Sequence, residues 1–266
     1  MKLVFLTIVL DGMPWVTRHW PEFERLDFDW QWHVVEGAAA NTACTSWCAP
    51  IAPRLSNDGT TQYLDALASY DHRVILHRKE LWQGKLDMVN APLRIMHEPC
   101  LLVQVDSDEL WTAEQLTRLR QMFMDHPDRN CAHFHCDYRV GPNVHITSRN
   151  GFGNNDAYEW KRAWRWTPGM LFASHEPPAF AQLVEHPFTH GETEAAGLVF
   201  RHEAYSTLKQ VAFKQTFYGS PNNKKGHLYA NAIEGWQRLQ RNRTWPVDLE
   251  KFMPWVGSGV VADKIL

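Results

Sequence analysis

Cysteine is scarce in this chain and does not pair up: five residues, an odd number, stand at positions 44, 48, 100, 131 and 136. A chain of 266 residues can bury a core without disulfide staples, so this usage points to a reduced, cytoplasmic setting. An excess of one charge is also lacking. Lys+Arg 27 against Asp+Glu 30 leaves a net charge of -3, which offers no field to attract nucleic acid or an anionic membrane. The apolar N-terminal run from Leu3 to Leu10 is short, ends at Asp11-Gly12 and lacks a small-residue cleavage site. A membrane span needs about 20 apolar residues, so the run reads as a buried strand rather than a leader or a transmembrane segment. Repeats, heptads and low-complexity segments are missing. So are G-x-S-x-G, G-x-G-x-x-G and Walker A segments, which removes the anchors of hydrolase, Rossmann-dehydrogenase and P-loop-kinase readings.

What is present begins with aromatics. Trp 13, Phe 13, Tyr 7 and His 14 are plentiful, a composition suited to sugar or flat-ligand recognition, although core packing accounts for most such residues. The order of elements is legible from apolar spacing. The strand at 3–10 is followed by a helix with Val16, Trp20, Phe23 and Leu26 on one stripe, then by a second strand over 32–37. Residues 38–59 read as a long loop, 60–70 as a helix and 73–77 as a third strand. A helix through Leu86, Val89 and Leu93 precedes the apolar strand 101–105, and Thr112 with Gln115 matches a capping box that opens another helix. Alternation of this kind predicts a parallel sheet with crossover helices. Beyond 130 the pattern predicts an antiparallel pair over 131–140 and 144–148. Short strands near 170–174 and 197–202 and helices over 206–218 and 229–240 follow. The expected fold is a single α/β domain, a mixed sheet flanked by helices, with an α/β half over 1–125 and a mixed half over 126–266.

Chemistry concentrates at Asp106-Ser107-Asp108, just past the carboxyl end of the 101–105 strand, where open α/β sheets place their ligands. Residues i and i+2 of an extended segment point to one side, so both carboxylates can converge on a hard cation that also takes phosphate oxygens. Turn formation alone explains many Asp-x-Asp segments.

With Val34-Val35-Glu36-Gly37 and the N-terminal strand, Leu102-Val103-Gln104-Val105-Asp106-Ser107-Asp108-Glu109-Leu110 resembles the nucleotide-sugar-dependent glycosyltransferases of the GT-A fold, family-two-like members above all. Trp82 to Asn90 resembles that family's Gly-Lys…Asn helix. Phe200-Arg201-His202, followed by Val211-Ala212-Phe213-Lys214 and Phe217-Tyr218-Gly219, resembles its late segment with a metal-binding His. The resemblance implies a nucleoside-diphosphate sugar as donor, UDP-linked by preference, and a carbohydrate or other hydroxyl acceptor. It implies Mn²⁺, or Mg²⁺, on Asp106, Asp108 and His202, an imidazole ligand favouring manganese. Asp106 and Glu36 would lie near the nucleotide and Lys85 near the diphosphate. An inverting transfer needs a carboxylate base, for which Glu176 is the candidate and Asp156 its rival; the Glu-Asp dipeptide that the family carries after its acceptor strands is missing, which leaves a retaining transfer open.

Trp160, Arg162, Trp164, Arg165 and Trp166 are expected to offer an acceptor wall on one strand face, and Asn222 to His227 a basic loop beside phosphates. Cys131, His133, His135 and Cys136 lack a zinc-ligand spacing and read as ordinary strand residues. Two other functions fit the same features: a nucleotidyltransferase on a related sheet, and a carbohydrate-binding protein without turnover.

Overall fold

The structure, a computed structural model, describes residues 1–147, 161–254 and 261–264. The first half follows the predicted alternation. Strand β1 (Leu3–Val9) leads through a 3-10 turn into helix α1 (His19–Glu24), then come β2 (Trp30–Ala39), α2 (Thr60–Tyr70), β3 (Val74–Trp82), α3 (Lys85–Leu93) and β4 (Cys100–Gln104). Strands β4, β1, β2 and β3 lie side by side and parallel. Strands β1 and β4 are buried on both faces, which is why they read as continuous apolar runs. Strands β2 and β3 extend well past the apolar segments that announce them.

After β4 a turn leads into the two-residue strand β5 (Glu109–Leu110) and helix α4 (Ala113–Asp125). Thr112 caps that helix reciprocally with Gln115, and Leu116, Leu119 and Phe123 are its buried stripe. The expected strand over 131–140 is broken. It forms β6 (Cys131–His133) in the large sheet and β7 (Cys136–Arg139) in a second sheet, with Phe134 and His135 turning the corner between them. Strand β8 (Val144–Thr147) pairs antiparallel with β7, as the sequence suggests. Strand β9 (Lys161–Trp166) enters the large sheet antiparallel between β4 and β6. Strands β10 (Phe172–His175) and β11 (Pro178–Phe180) form a separate hairpin. They are followed by β12 (Pro187–Phe188), α5 (His190–Ala195), β13 (Phe200–His202), α6 (Leu208–Tyr218), α7 (Ala232–Arg241), β14 (Val247–Asp248) and β15 (Val261–Lys264).

The large sheet runs β12-β6-β9-β4-β1-β2-β3 and the second β14-β15-β8-β7-β13-β5. One apolar core joins them, from Phe5 and Trp32 through Trp111 and Phe134 to Phe200 and Tyr205. A smaller core on the other face of the large sheet holds Trp164 and Trp166 against Phe172 and Phe180. Among the described residues no helix is long and apolar enough to cross a membrane.

Candidate active site

A cleft of about 530 Å³ opens where Val9 and Gly37, from β1 and β2, meet Tyr138 and His202, from β7 and β13. The backbone at Gly37 explains part of its shape. The residue sits at φ +134°, where a side chain would meet the Lys79 carbonyl at 1.8 Å, so only glycine allows β2 to bulge beside β3.

The acidic turn forms the floor. Glu109 donates its N–H to the Asp106 carbonyl at 2.9 Å, closing a turn directly after the buried Val105. Three outside contacts hold it. His19 Nε2 donates to the Ser107 carbonyl at 3.1 Å, and the Glu203 N–H donates to the Asp108 carbonyl at 2.8 Å. The buried Glu109 carboxylate takes Arg162 Nε at 2.9 Å and Nη2 at 2.6 Å. Burial pushes the His19 imidazole down to about 4, so it stays neutral and donates throughout the neutral range.

The two acids of the motif face different partners. Asp106 Oδ2 is 3.6 Å from Arg162 Nη2, and its Oδ1 accepts from Gln104 Nε2 at 3.3 Å. Asp108 Oδ1 is 3.6 Å from His202 Nε2. Burial alone would push the Asp108 carboxyl up, but the charges of His202 and Lys214 outweigh it and hold that group well below the usual carboxylate range. Among the described residues no three His, Cys, Asp or Glu side chains are grouped to hold a metal ion. The expected ligands therefore stand as a close pair, Asp108 with His202, and a neighbour, Asp106, engaged with Arg162. The pair suits a cation in chemistry, a carboxylate oxygen beside an imidazole nitrogen. Its spacing is within about 1 Å of the roughly 3 Å that separates adjacent ligands of an octahedral ion.

Cations stand opposite. Lys85 opens α3, and its Nζ donates to Glu176 Oε1 at 2.9 Å. Burial disfavours both charges, but each partner outweighs that cost: the lysine is raised above and the glutamate lowered below its ordinary value. Lys214, from α6, holds Nζ 4.3 Å over the Tyr205 ring, and burial lowers its pKa. The rim is aromatic: Phe213 stacks on Phe217 at 5.2 Å, and Trp47 on Tyr218 at 5.5 Å.

That rim replaces the one expected at 160–166. Trp164 and Trp166 are 0% and 1% exposed and belong to the core. Arg165 turns away to the carbonyls of Phe123 and Arg129. Arg162 alone of the four described residues lines the cleft; Trp160 lies outside the described residues, as does Asp156. Glu36 is buried in the scaffold beside the cleft, not in its wall. Its carboxylate accepts from Arg78 Nε at 2.8 Å, from Thr61 Oγ1 and from the Ser56 N–H. The loop with Asn222, Asn223, Lys224 and Lys225 borders a second hollow of about 460 Å³, which shares Trp47 and Tyr229 with the cleft. Sequence reasoning assigned no role to Lys214, Glu109 or His175. Lys214 lies in the segment that resembles the family's late motif, but nothing local distinguishes a cleft lysine on a helix from a solvated one.

No protein-family model and no curated protein matches the chain. Solved structures do. A mannosyltransferase, PcManGT from Pyrobaculum calidifontis, solved with GDP-Man and Mn²⁺, matches 96% of this chain and 67% of its own at 14% identity and a TM-score of 0.53. TarS from S. aureus, residues 1–349, matches 62% of this chain at 13% identity and a TM-score of 0.42. The chain spans 47% of that TarS structure and 28% of a longer one. By its likeness to the PcManGT structure, the chain has the fold of nucleotide-sugar glycosyltransferases.

Proposed function

We propose that this chain is a metal-dependent glycosyltransferase that moves a sugar from a nucleoside diphosphate to a hydroxyl acceptor. One observation carries the reading: the Asp108–His202 pair and the ammonium groups of Lys85 and Lys214 line a single cleft at the carboxyl ends of parallel strands. An anionic ligand bridged by a cation satisfies both sets of charges at once. Asp108 and His202 would hold Mn²⁺, with Asp106 beside them toward the nucleotide. A bound divalent ion supplies neutralisation of the charge that gathers on a leaving diphosphate. Lys85 and Lys214 bind the diphosphate oxygens from the other side, and Arg162 keeps Asp106 oriented. The aromatic rim offers stacking faces to sugar C–H surfaces. An inverting displacement needs a proton acceptor beside the incoming hydroxyl, and Glu176 lines the same cleft.

A panel of UDP- and GDP-linked sugars, UDP-GlcNAc and GDP-mannose included, tests this. Nucleoside diphosphate release is expected with Mn²⁺ and is lost in chelator. Asp108→Ala should lower it by about 10²-fold or more, the scale of lost charge stabilisation at a metal. Release of pyrophosphate from a nucleoside triphosphate, or glycan binding unaffected by chelator with no nucleotide bound, would overturn it.

A further inference from the structure

Glu176 is poorly suited to take a proton itself. A general base works best with a pKa near the working pH, whereas Lys85 holds this carboxylate firmly ionised. The residue before it is a histidine. His175 lines the same cleft at 6% exposure, and neither ring nitrogen has a hydrogen-bond partner among the described residues. Its Nδ1 lies 3.6 Å from Glu176 Oε1. Buried ring nitrogens without partners are rare and call for a functional account.

The placement is built, not incidental. His175 ends β10, opposite Pro178 of the hairpin. The buried Asn90 of α3 fixes that hairpin twice, accepting the Phe172 N–H at 2.8 Å and donating to the Phe172 carbonyl at 3.0 Å. The helix that carries Lys85 is thus fastened to the hairpin that carries His175 and Glu176. The charged and titratable groups facing this corner are Glu176 from the hairpin turn, Lys85 from α3, and Lys214 and Tyr218 from α6.

We infer that His175 is the general base of the transfer, with Glu176 orienting its ring and Lys85 anchoring Glu176. The inference rests on the glycosyltransferase reading and adds a residue to it. In the step, the acceptor hydroxyl gives its proton to His175 Nε2 as its oxygen bonds to the anomeric carbon. The bond from that carbon to the donor's phosphate oxygen breaks, and its electron pair leaves with the diphosphate. The imidazolium, faced by the Glu176 carboxylate, then returns the proton to solvent. The logic is that of an imidazole aligned by an acid and acting on an oxygen nucleophile.

Two measurements test it. In ¹⁵N spectra of the full chain at pH 8, the His175 ring, assigned among fourteen histidines by its loss in His175→Gln, should carry its proton on Nδ1 and leave Nε2 bare. A proton on Nε2 overturns the assignment without any substrate. With Mn²⁺ and a donor that the wild-type protein turns over, water serving as acceptor, His175→Gln and His175→Asn should release diphosphate at least about 100-fold more slowly. UDP or GDP binding by calorimetry should stay within about threefold. Release by both variants at more than a third of the wild-type rate overturns the base and leaves the transferase reading standing. Wild-type protein that releases no diphosphate from any donor overturns both, whatever the tautomer.

Discussion

Charge at each residue of the cleft is settled by neighbours far away in sequence. Asp106 and Asp108 were legible because an apolar strand, two acids one residue apart and a capped helix form a local pattern. Their division of labour was not, because Arg162 reaches Asp106 from 56 positions downstream and His202 reaches Asp108 from 94. Lys214 and His175 were hidden for the same reason: a lysine on a helix and a histidine at a strand end look ordinary until the fold buries them. Glu36, an acid at a strand end expected near the nucleotide, ties Arg78, Thr61 and Ser56 together. Glu36→Gln should therefore cost about 1–3 kcal/mol in denaturant unfolding, the usual penalty for a disturbed buried polar group, and leave nucleotide affinity within about twofold. A tenfold loss of affinity at unchanged stability would place Glu36 in the binding site instead.

Elements with self-contained signals were read well. The Thr112 capping box forms as the sequence implies, with Gln115 N–H donating to Thr112 Oγ1 at 3.2 Å. Thr112→Ala should cost about 1 kcal/mol by the same unfolding measurement. The strand over 131–140 was misjudged, since its apolar content continues across Phe134 while its hydrogen bonding passes from one sheet to another. Periodicity reports which face is buried, not which sheet supplies the partner. The Trp-rich strand β9 differs likewise from expectation: Trp164 and Trp166 are buried in the core, and Arg162 alone of its described wall residues reaches the cleft. Gly37 shows how tightly one element constrains another. With φ at +134° and the Lys79 carbonyl in the way, Gly37→Ala should lower stability by about 3 kcal/mol or more, read as a shifted denaturation midpoint. An unchanged midpoint would mean that β2 and β3 can part there freely.

Across the whole molecule the fold class was the most legible feature, since alternating strands and helices with one acidic strand end admit few architectures. The way the two sheets share the site was not. Acid sensitivity follows from that sharing. Glu176 is held below its ordinary value of 4.5, and Asp108 below 3.8, so each adds stability that is complete above those values and is lost as pH falls below them. Melting temperature should drop steeply below about pH 4.5, and Glu176→Gln should flatten that limb while lowering the plateau above it. Equal slopes in the two proteins would remove Glu176 from the account. The ladder between β5 and β13 sets Glu109 opposite His202, and the Glu203 N–H reaches back to the Asp108 carbonyl at 2.8 Å. A ribosome making this protein must add nearly a hundred residues after Asp108 before the chain supplies its clasp. Products released early, short of residue 203, should carry both aspartates and yet grip manganese no better than a loose acidic peptide.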